Sequence, residues 1–158
     1  GNVNPAAEAN IWNDPYAADR VFGATWRITL VGLDVTEQVV MDEAYFESLR
    51  ATRTGSYICD ISRFYLDFSE RSTGLRMCHT HDPSAIAYVI DPTLFRARVG
   101  AMRVATEGLA RGQTIWDRRQ QWYGPNPWTG RPPVNVCLEV DAERLLALYH
   151  QRIGEERP

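Results

Sequence analysis

The sequence predicts a mixed α/β fold, and three observations lead to this prediction. Residues 26–33 are mostly apolar and β-branched, which is typical of a largely buried strand. Residues 134–140 alternate apolar and polar, as in a strand with one polar face. Several segments around them carry apolar residues at helical spacing. The chain has 158 residues, 44% of them hydrophobic, so we expect residues 1–158 to form a single domain with its own core.

The elements follow in order from the N-terminus. Asn4-Pro5 is expected to cap and open a short helix that contains Glu8 and Asn10. A second helix is predicted over residues 16–24, after Asp14-Pro15. The strand at 26–33 ends at Asp34-Val35-Thr36, and the C-terminal edge of an open α/β sheet is where ligands bind.

The remaining elements are predicted from the same patterns. Helices are expected at 42–51, 56–68 and 83–90, and an amphipathic helix is expected after Asp141. Strands are expected at 95–99, 102–105, 111–117 and 134–140, with a loop rich in proline and glycine before the last. The polar segment 69–74 is interpreted as a mobile loop that could close over a neighbouring site.

Composition excludes several classes of function. The formal net charge is −3, which argues against a nucleic-acid partner held mainly by electrostatics. No apolar run is long enough to span a bilayer, and no secretory signal is visible, so we expect no membrane partner. The three cysteines are widely spaced and odd in number, which indicates free thiols and a cytoplasmic location.

The segment most suggestive of chemistry is residues 78–88, CHTHDPSAIAY. It places His81 and Asp82 directly before Pro83 and an apolar helical run. Asp82 is open to two interpretations, a helix N-cap or a metal ligand. A further alternative takes His79 and His81 as a zinc-binding pair, although such a pair is weak evidence without further ligands at matching spacing.

Four segments together resemble the C-terminal half of the inosine–uridine-preferring nucleoside hydrolases. They are residues 1–10 (GNVNPAAEAN), 33–36 (LDVT), 81–83 (HDP) and 111–114 (RGQT). The resemblance implies an α/β fold with a mostly parallel, Rossmann-like central sheet flanked by helices. It also implies hydrolysis of the N-glycosidic bond of ribonucleosides with a bound calcium ion, and a homo-oligomer when the enzyme is complete.

The resemblance also implies roles for individual residues. Asn2, Glu8 and Asn10 look like ribose-binding residues, and His81 looks like the general acid that protonates the leaving base. Asp82 looks like a calcium ligand that also touches the ribose. These roles suit the chemistry, because Ca²⁺ prefers oxygen ligands and an imidazole changes charge near neutral pH.

The family's N-terminal half, with its cluster of aspartates, is not found in these residues. We therefore expect that half to be a partner in the active enzyme and the 158-residue chain alone to be inactive, since one carboxylate does not hold Ca²⁺ well. Two alternatives stay open: a non-catalytic domain that binds ribose or nucleosides, and a zinc hydrolase that uses His79 and His81.

Overall fold

The computed structural model of the chain describes residues 1–119 and 121–155. Contacts within the chain divide it into two compact units: the first comprises Gly1–Leu33 and Ala97–Cys137, and the second comprises Asp34–Arg96 and the chain from Leu138 onward. The expectation of a single domain stays a prediction. Within the described residues the helices are α1 (Ala9–Asn13), α2 (Pro15–Phe22), α3 (Leu33–Thr36), α4 (Glu43–Ser48), α5 (Arg53–Thr73), α6 (His81–Ile90) and α7 (Ala142–Ile153). The strands are β1 (Thr29–Leu30), β2 (Val40–Asp42), β3 (Met77–His79), β4 (Phe95–Val104), β5 (Thr114–Trp116) and β6 (Pro133–Val140).

The first unit is organised on a four-stranded mixed sheet of order β1-β6-β4-β5. β1 pairs with β6 in parallel, and β4 pairs with β5 antiparallel. Alternate side chains of β4 and β6 are buried, which is the pattern expected of strands with one face on a core: Met102, Val104, Val134 and Val136. The predicted strand at 134–140 is thereby confirmed, although Cys137, which was placed on its polar face, is only 3% exposed.

The second unit contains a two-stranded antiparallel sheet, β2 with β3, in which Met41 lies opposite Cys78. Its core is a cluster of buried side chains from β2, β3, α4, α5 and the 3₁₀ turn Leu49–Ala51, with Leu146 and Tyr149 of α7 packed against it. The buried members are Met41, Phe46, Leu49, Cys59, Leu66 and Cys78. This small sheet ends at His79, two residues before His81, so the core positions the segment that carries the candidate site.

The first helix begins later than predicted. The side chain of Asn4 accepts hydrogen bonds from the amides of Ala6 and Ala7, at 2.8 and 3.0 Å, and so forms a turn instead of an N-cap. Glu8 is the residue that caps α1, because its carboxylate accepts from the backbone amides of Asn10 and Ile11. The second helix is confirmed: Asp14 caps it through the amide of Ala17, and Pro15 is its first residue.

Two further predictions are wrong in extent. The predicted strand at 26–33 is reduced to the two residues of β1, which lies at the edge of the sheet, and Trp26 is 65% exposed. The predicted loop at 69–74 is instead the last part of α5, which ends only at Gly74 with a φ of 76°. Its polar residues suit an exposed helical turn, where Glu70 forms an ion pair with Arg76 at 2.9 Å.

Of the helices in the part of the chain that the structure describes, none combines the length and the apolar character that crossing a membrane requires.

Candidate functional site

The N-terminal candidate residues form one hydrogen-bonded set in the first unit. The Oδ1 atom of Asn2 accepts from the amide of Ala9 at 2.9 Å. Glu8 uses Oε2 for the amides of Asn10 and Ile11, and its Oε1 accepts from Nδ2 of Asn10 at 3.1 Å. Asn2 and Asn10 are exposed and Glu8 is half-buried, so the three polar groups are held in place but remain accessible to a small molecule.

Arg111, the first residue of the segment 111–114, contacts the helix that follows Glu8. Nη1 of Arg111 donates to the carbonyl of Trp12 at 2.9 Å, and its guanidinium lies 4.5 Å from the centre of the Trp12 ring. Such a cation–π contact is worth about 0.5–2 kcal/mol. Trp12 belongs to α1, the helix that Glu8 caps, so the fourth segment of the resemblance positions the first.

His81 is the first residue of α6, in the second unit. Its Nδ1 atom lies 2.8 Å from Oγ1 of Thr36, which is only 2% exposed and is the last residue of α3. The sequence placed residues 34–36 at the edge of the sheet where ligands bind, but it assigned no role to Thr36 itself. The contact between Thr36 and His81 was not predicted from the sequence, because the two residues are 45 positions apart.

A buried frame holds the backbone beside His81. The amide and the hydroxyl of Thr80 both donate to the carbonyl of Val39, at 3.0 and 3.1 Å. The hydroxyl of Ser84, which is fully buried, donates to the carbonyl of Thr80. These hydrogen bonds tie the start of α6 to the backbone of Val39.

Asp82 is exposed and is the second residue of α6, not its N-cap, because the helix begins two residues earlier than predicted. The N-cap position belongs to Thr80, whose side chain makes no capping hydrogen bond, and Pro83 falls at the third helical position instead of the first. The capping interpretation of Asp82 is therefore wrong.

The donor set for a metal is small in this chain. Among the residues that the structure describes, there is no cluster of three or more His, Cys, Asp or Glu side chains that could hold a metal ion. Ca²⁺ takes about six to eight oxygen ligands, so Asp82 does not fit a calcium site without ligands from outside these residues. The rings of His79 and His81 have centroids 5.9 Å apart, but a zinc site needs further ligands as well.

Two buried groups belong to β3, the strand that leads to His81. Nδ1 of His79 is buried and has no hydrogen-bond partner within the described residues. Burial raises the pKa of the Cys78 thiol to about 11, so at neutral pH this cysteine is a neutral core side chain and not a nucleophile.

Comparisons with known proteins place this geometry in a family. Residues 1–147 match the model of the inosine-uridine preferring nucleoside hydrolase family. Uridine nucleosidase 1 of Arabidopsis thaliana is 40% identical over 149 residues, which is 92% of this chain and 44% of the relative. The solved plant nucleoside hydrolase PpNRh1 superimposes with a TM-score of 0.94 at 36% identity, covering 99% of this chain and 50% of that one. The purine-preferring ribonucleoside hydrolase of Gardnerella vaginalis gives a TM-score of 0.83, also at 36% identity, over 98% of this chain and 48% of that one.

An α/β chain with these two residue sets is thus similar throughout its length to hydrolases of nucleosides. It belongs to the inosine–uridine-preferring nucleoside hydrolase family. The predicted family and fold class are confirmed. The chain spans about half the length of the curated relatives it matches, which agrees with the predicted correspondence to one half of the family fold. The site roles, the calcium ion, the oligomeric state and the cytoplasmic location stay predictions.

Proposed function

We propose that this chain supplies part of the active site of a ribonucleoside hydrolase, which splits the N-glycosidic bond to give ribose and the free base. The observation that carries the proposal is the family match over residues 1–147, because it includes every candidate residue. The similar proteins include a uridine nucleosidase and a purine-preferring hydrolase, so the proposal names ribonucleosides as the substrate class and assigns no base.

The ribose is bound by Asn2, Glu8 and Asn10 in this proposal. The hydrogen bonds within the set support it, because they orient two amides and a carboxylate before any ligand arrives. A site built to hydrogen-bond a hydroxyl rejects an analogue that lacks the hydroxyl by roughly 10⁴-fold or more. Ribonucleosides should therefore be strongly preferred over 2′-deoxyribonucleosides.

The leaving base is protonated by His81. Cleavage of an N-glycoside builds positive charge on the ribose and negative charge on the base, so a proton donor on the base side stabilises the departing group. His81 is the first residue of α6, and one of its ring nitrogens is hydrogen-bonded to the buried hydroxyl of Thr36. This contact supports the proposal, because a proton donor needs a fixed orientation.

Calcium dependence is the third part of the proposal. Asp82 would give one oxygen ligand, and the other ligands and the base that activates water would come from the half of the family fold that this chain does not match. The exposed carboxylate of Asp82, which follows His81 directly in the sequence, supports this part of the proposal. It predicts that the 158-residue chain alone does not turn over nucleosides.

The first experiment compares two preparations. One is the 158-residue chain alone. The other, the combined preparation, is the chain together with the N-terminal half of the family fold, on the same polypeptide or as a separate one. Release of ribose from uridine and inosine is measured, with 2′-deoxyuridine as the control substrate. We expect turnover only in the combined preparation, and turnover by the chain alone would overturn the requirement for the N-terminal half.

A matched pair of variants then tests the residue roles. We expect His81→Gln to lower kcat for nucleosides by about 10²- to 10⁴-fold, the usual contribution of general acid catalysis. His79→Gln, two residues away, should have a much smaller effect. If His79→Gln were as damaging and stoichiometric zinc were bound, the zinc hydrolase would replace this proposal. Nucleoside binding without turnover in the combined preparation would favour the non-catalytic binding domain.

A further inference from the structure

The side chains of Thr36 and His81 form a part-buried contact at the candidate general acid. We propose that Thr36 is a positioning residue: its hydroxyl accepts a hydrogen bond from Nδ1–H of His81 and so makes Nε2 the atom that delivers the proton to the leaving base. This inference rests on the proposed function of His81 as the general acid. It assigns a task to the LDVT segment, which the ribose and calcium roles leave unexplained.

The geometry of the contact favours a dedicated partner over an incidental one. Oγ1 of Thr36 and Nδ1 of His81 are 2.8 Å apart, the distance of a good hydrogen bond. Thr36 is 2% exposed, so water competes little for its hydroxyl. A buried hydroxyl that lost this partner would be left with an unsatisfied polar group, which is unfavourable.

The backbones of the two residues are joined as well. The carbonyl of Thr36 accepts from the amide of Val39 at 3.1 Å, and the carbonyl of Val39 accepts from both donors of Thr80, the neighbour of His81. Two routes thus connect the end of α3 to the start of α6, one through side chains and one through backbone. The distance between Thr36 and the imidazole is therefore set by packed, hydrogen-bonded structure.

The proton balance explains why the partner should be on Nδ1. A charged imidazole carries protons on both nitrogens. When Nε2–H gives its proton to a ring nitrogen of the base, the electron pair of the glycosidic bond goes to the base and the imidazole becomes neutral with its proton on Nδ1. A threonine oxygen accepts from Nδ1–H both before and after this transfer, so the ring keeps its orientation throughout.

The identity of the side chain is also informative. Threonine is β-branched and has few rotamers, so its oxygen stays directed at the ring. Valine has nearly the same shape without the oxygen, whereas serine keeps the oxygen and loses the methyl group. Thr36→Val and Thr36→Ser therefore separate the hydrogen bond from the packing.

The kinetic test uses two substrates and the combined preparation. Uridine needs a proton on its leaving base, whereas 4-nitrophenyl β-D-ribofuranoside releases a stable anion and does not. We expect Thr36→Val to lower kcat for uridine by about 10- to 100-fold, a part of what the general acid contributes, and to leave the nitrophenyl riboside within about twofold. Thr36→Ser should retain kcat for uridine within about threefold. An equal loss on both substrates, or no loss for Thr36→Val on uridine, would overturn the inference.

A matched control removes another buried threonine hydroxyl from the same unit. Thr52 is 7% exposed and donates to the carbonyl of Ile153 at 2.7 Å. We expect Thr52→Val to destabilise the fold without changing the ratio of the two substrate rates. A change of that ratio as large as the one for Thr36→Val would also count against the inference, because it would show that any loss of buried packing has this effect.

A spectroscopic measurement makes the inference independent of turnover. Long-range ¹H–¹⁵N spectra report which ring nitrogen of a neutral histidine carries the proton, and His81→Gln identifies the signal. We expect the Nδ1–H form for His81 and a shift towards Nε2–H in Thr36→Val. An Nε2–H form in the unmodified protein, or no change in Thr36→Val, would refute the role of Thr36. If instead the spectra agree but His81→Gln lowers both substrate rates equally, the proposed general acid is wrong and Thr36 only sets the tautomer.

Discussion

Exchanging the carboxylate and the amide of Glu8 and Asn10 tests whether the ribose-binding set works as a unit. In the unmodified protein Oε1 of Glu8 accepts a hydrogen bond from Nδ2 of Asn10 at 3.1 Å. Glu8→Gln places an NH₂ group against that donor and also weakens the two hydrogen bonds from backbone amides. Hydrogen bonds to a charged group are worth about 1.5–3 kcal/mol and neutral ones about 0.5–1.5 kcal/mol. Allowing for the half-exposed position of Glu8, the three contacts lose about 2–3 kcal/mol together. That loss corresponds to at most about 30- to 160-fold in kcat/KM.

Asn10→Asp alone should be comparably damaging, because it sets two carboxylates against each other. The double variant Glu8→Gln/Asn10→Asp restores one donor and one acceptor and keeps the total charge. We therefore expect a coupling of about 1–2 kcal/mol, so that the double variant is about 5- to 30-fold more active than the product of the single effects predicts.

The assay is steady-state hydrolysis of uridine by the combined preparation, together with hydrogen exchange of the amides of Asn10 and Ile11, which Glu8 caps. Asp14→Asn is the control, since Asp14 caps α2 through the amide of Ala17 and has no predicted ligand. Additive effects of the two substitutions would refute the reasoning, because they would show that Glu8 does not orient Asn10.

Three further predictions concern packing, metal binding and pH. Gly55→Ala should lower the free energy of unfolding by about 1–3 kcal/mol in urea titrations, because the new Cβ would overlap the backbone carbonyl oxygen of Leu49; an unchanged midpoint would contradict this. Asp82→Asn should weaken calcium binding to the combined preparation at least tenfold in a calorimetric titration, while Asp34→Asn, another exposed carboxylate, should not. Burial raises the pKa of the Cys78 and Cys137 thiols from 9.0 to about 11, so the unfolded chain releases these protons first. The free energy of unfolding should then fall between about pH 9 and 11, by up to ~1.4 kcal/mol per pH unit for each thiol. Cys78→Ala should make this fall with pH less steep.

Local signals in the sequence predicted the helices with reasonable accuracy. Asp14-Pro15 and Asp141 cap α2 and α7 as expected, because an N-cap depends only on residues two or three positions away. The wrong start of α1 has the same origin: Asn4 and Glu8 are both possible caps, and the choice between them depends on turn geometry.

Contacts between distant residues were beyond the reach of such signals. The segment at 69–74 has the composition of a loop, yet α5 continues to Thr73, and Arg76 of the following segment forms ion pairs with Asp67 and Glu70 near that end of the helix. The partner of His81 was missed for the same reason. A histidine beside a carboxylate is visible in the sequence, but the hydroxyl that orients its ring is contributed by Thr36, far away along the chain.

The same distinction bears on β1. Residues 26–33 have the composition of a strand that is covered on both sides, yet only Thr29–Leu30 pairs, at the edge of the sheet, and Trp26 is largely exposed. An apolar edge strand is normally paired, covered or charged, since open backbone groups invite aggregation. The proposed need for the N-terminal half of the family fold accounts for this mismatch, because that half would cover β1 and Trp26. If so, the exposure of Trp26 should fall when the N-terminal half is combined with this chain, and the fluorescence of Trp26 should shift to shorter wavelength. A Trp26→Phe variant identifies the signal, and an unshifted spectrum in a catalytically active combination would separate the activity from the covering of β1.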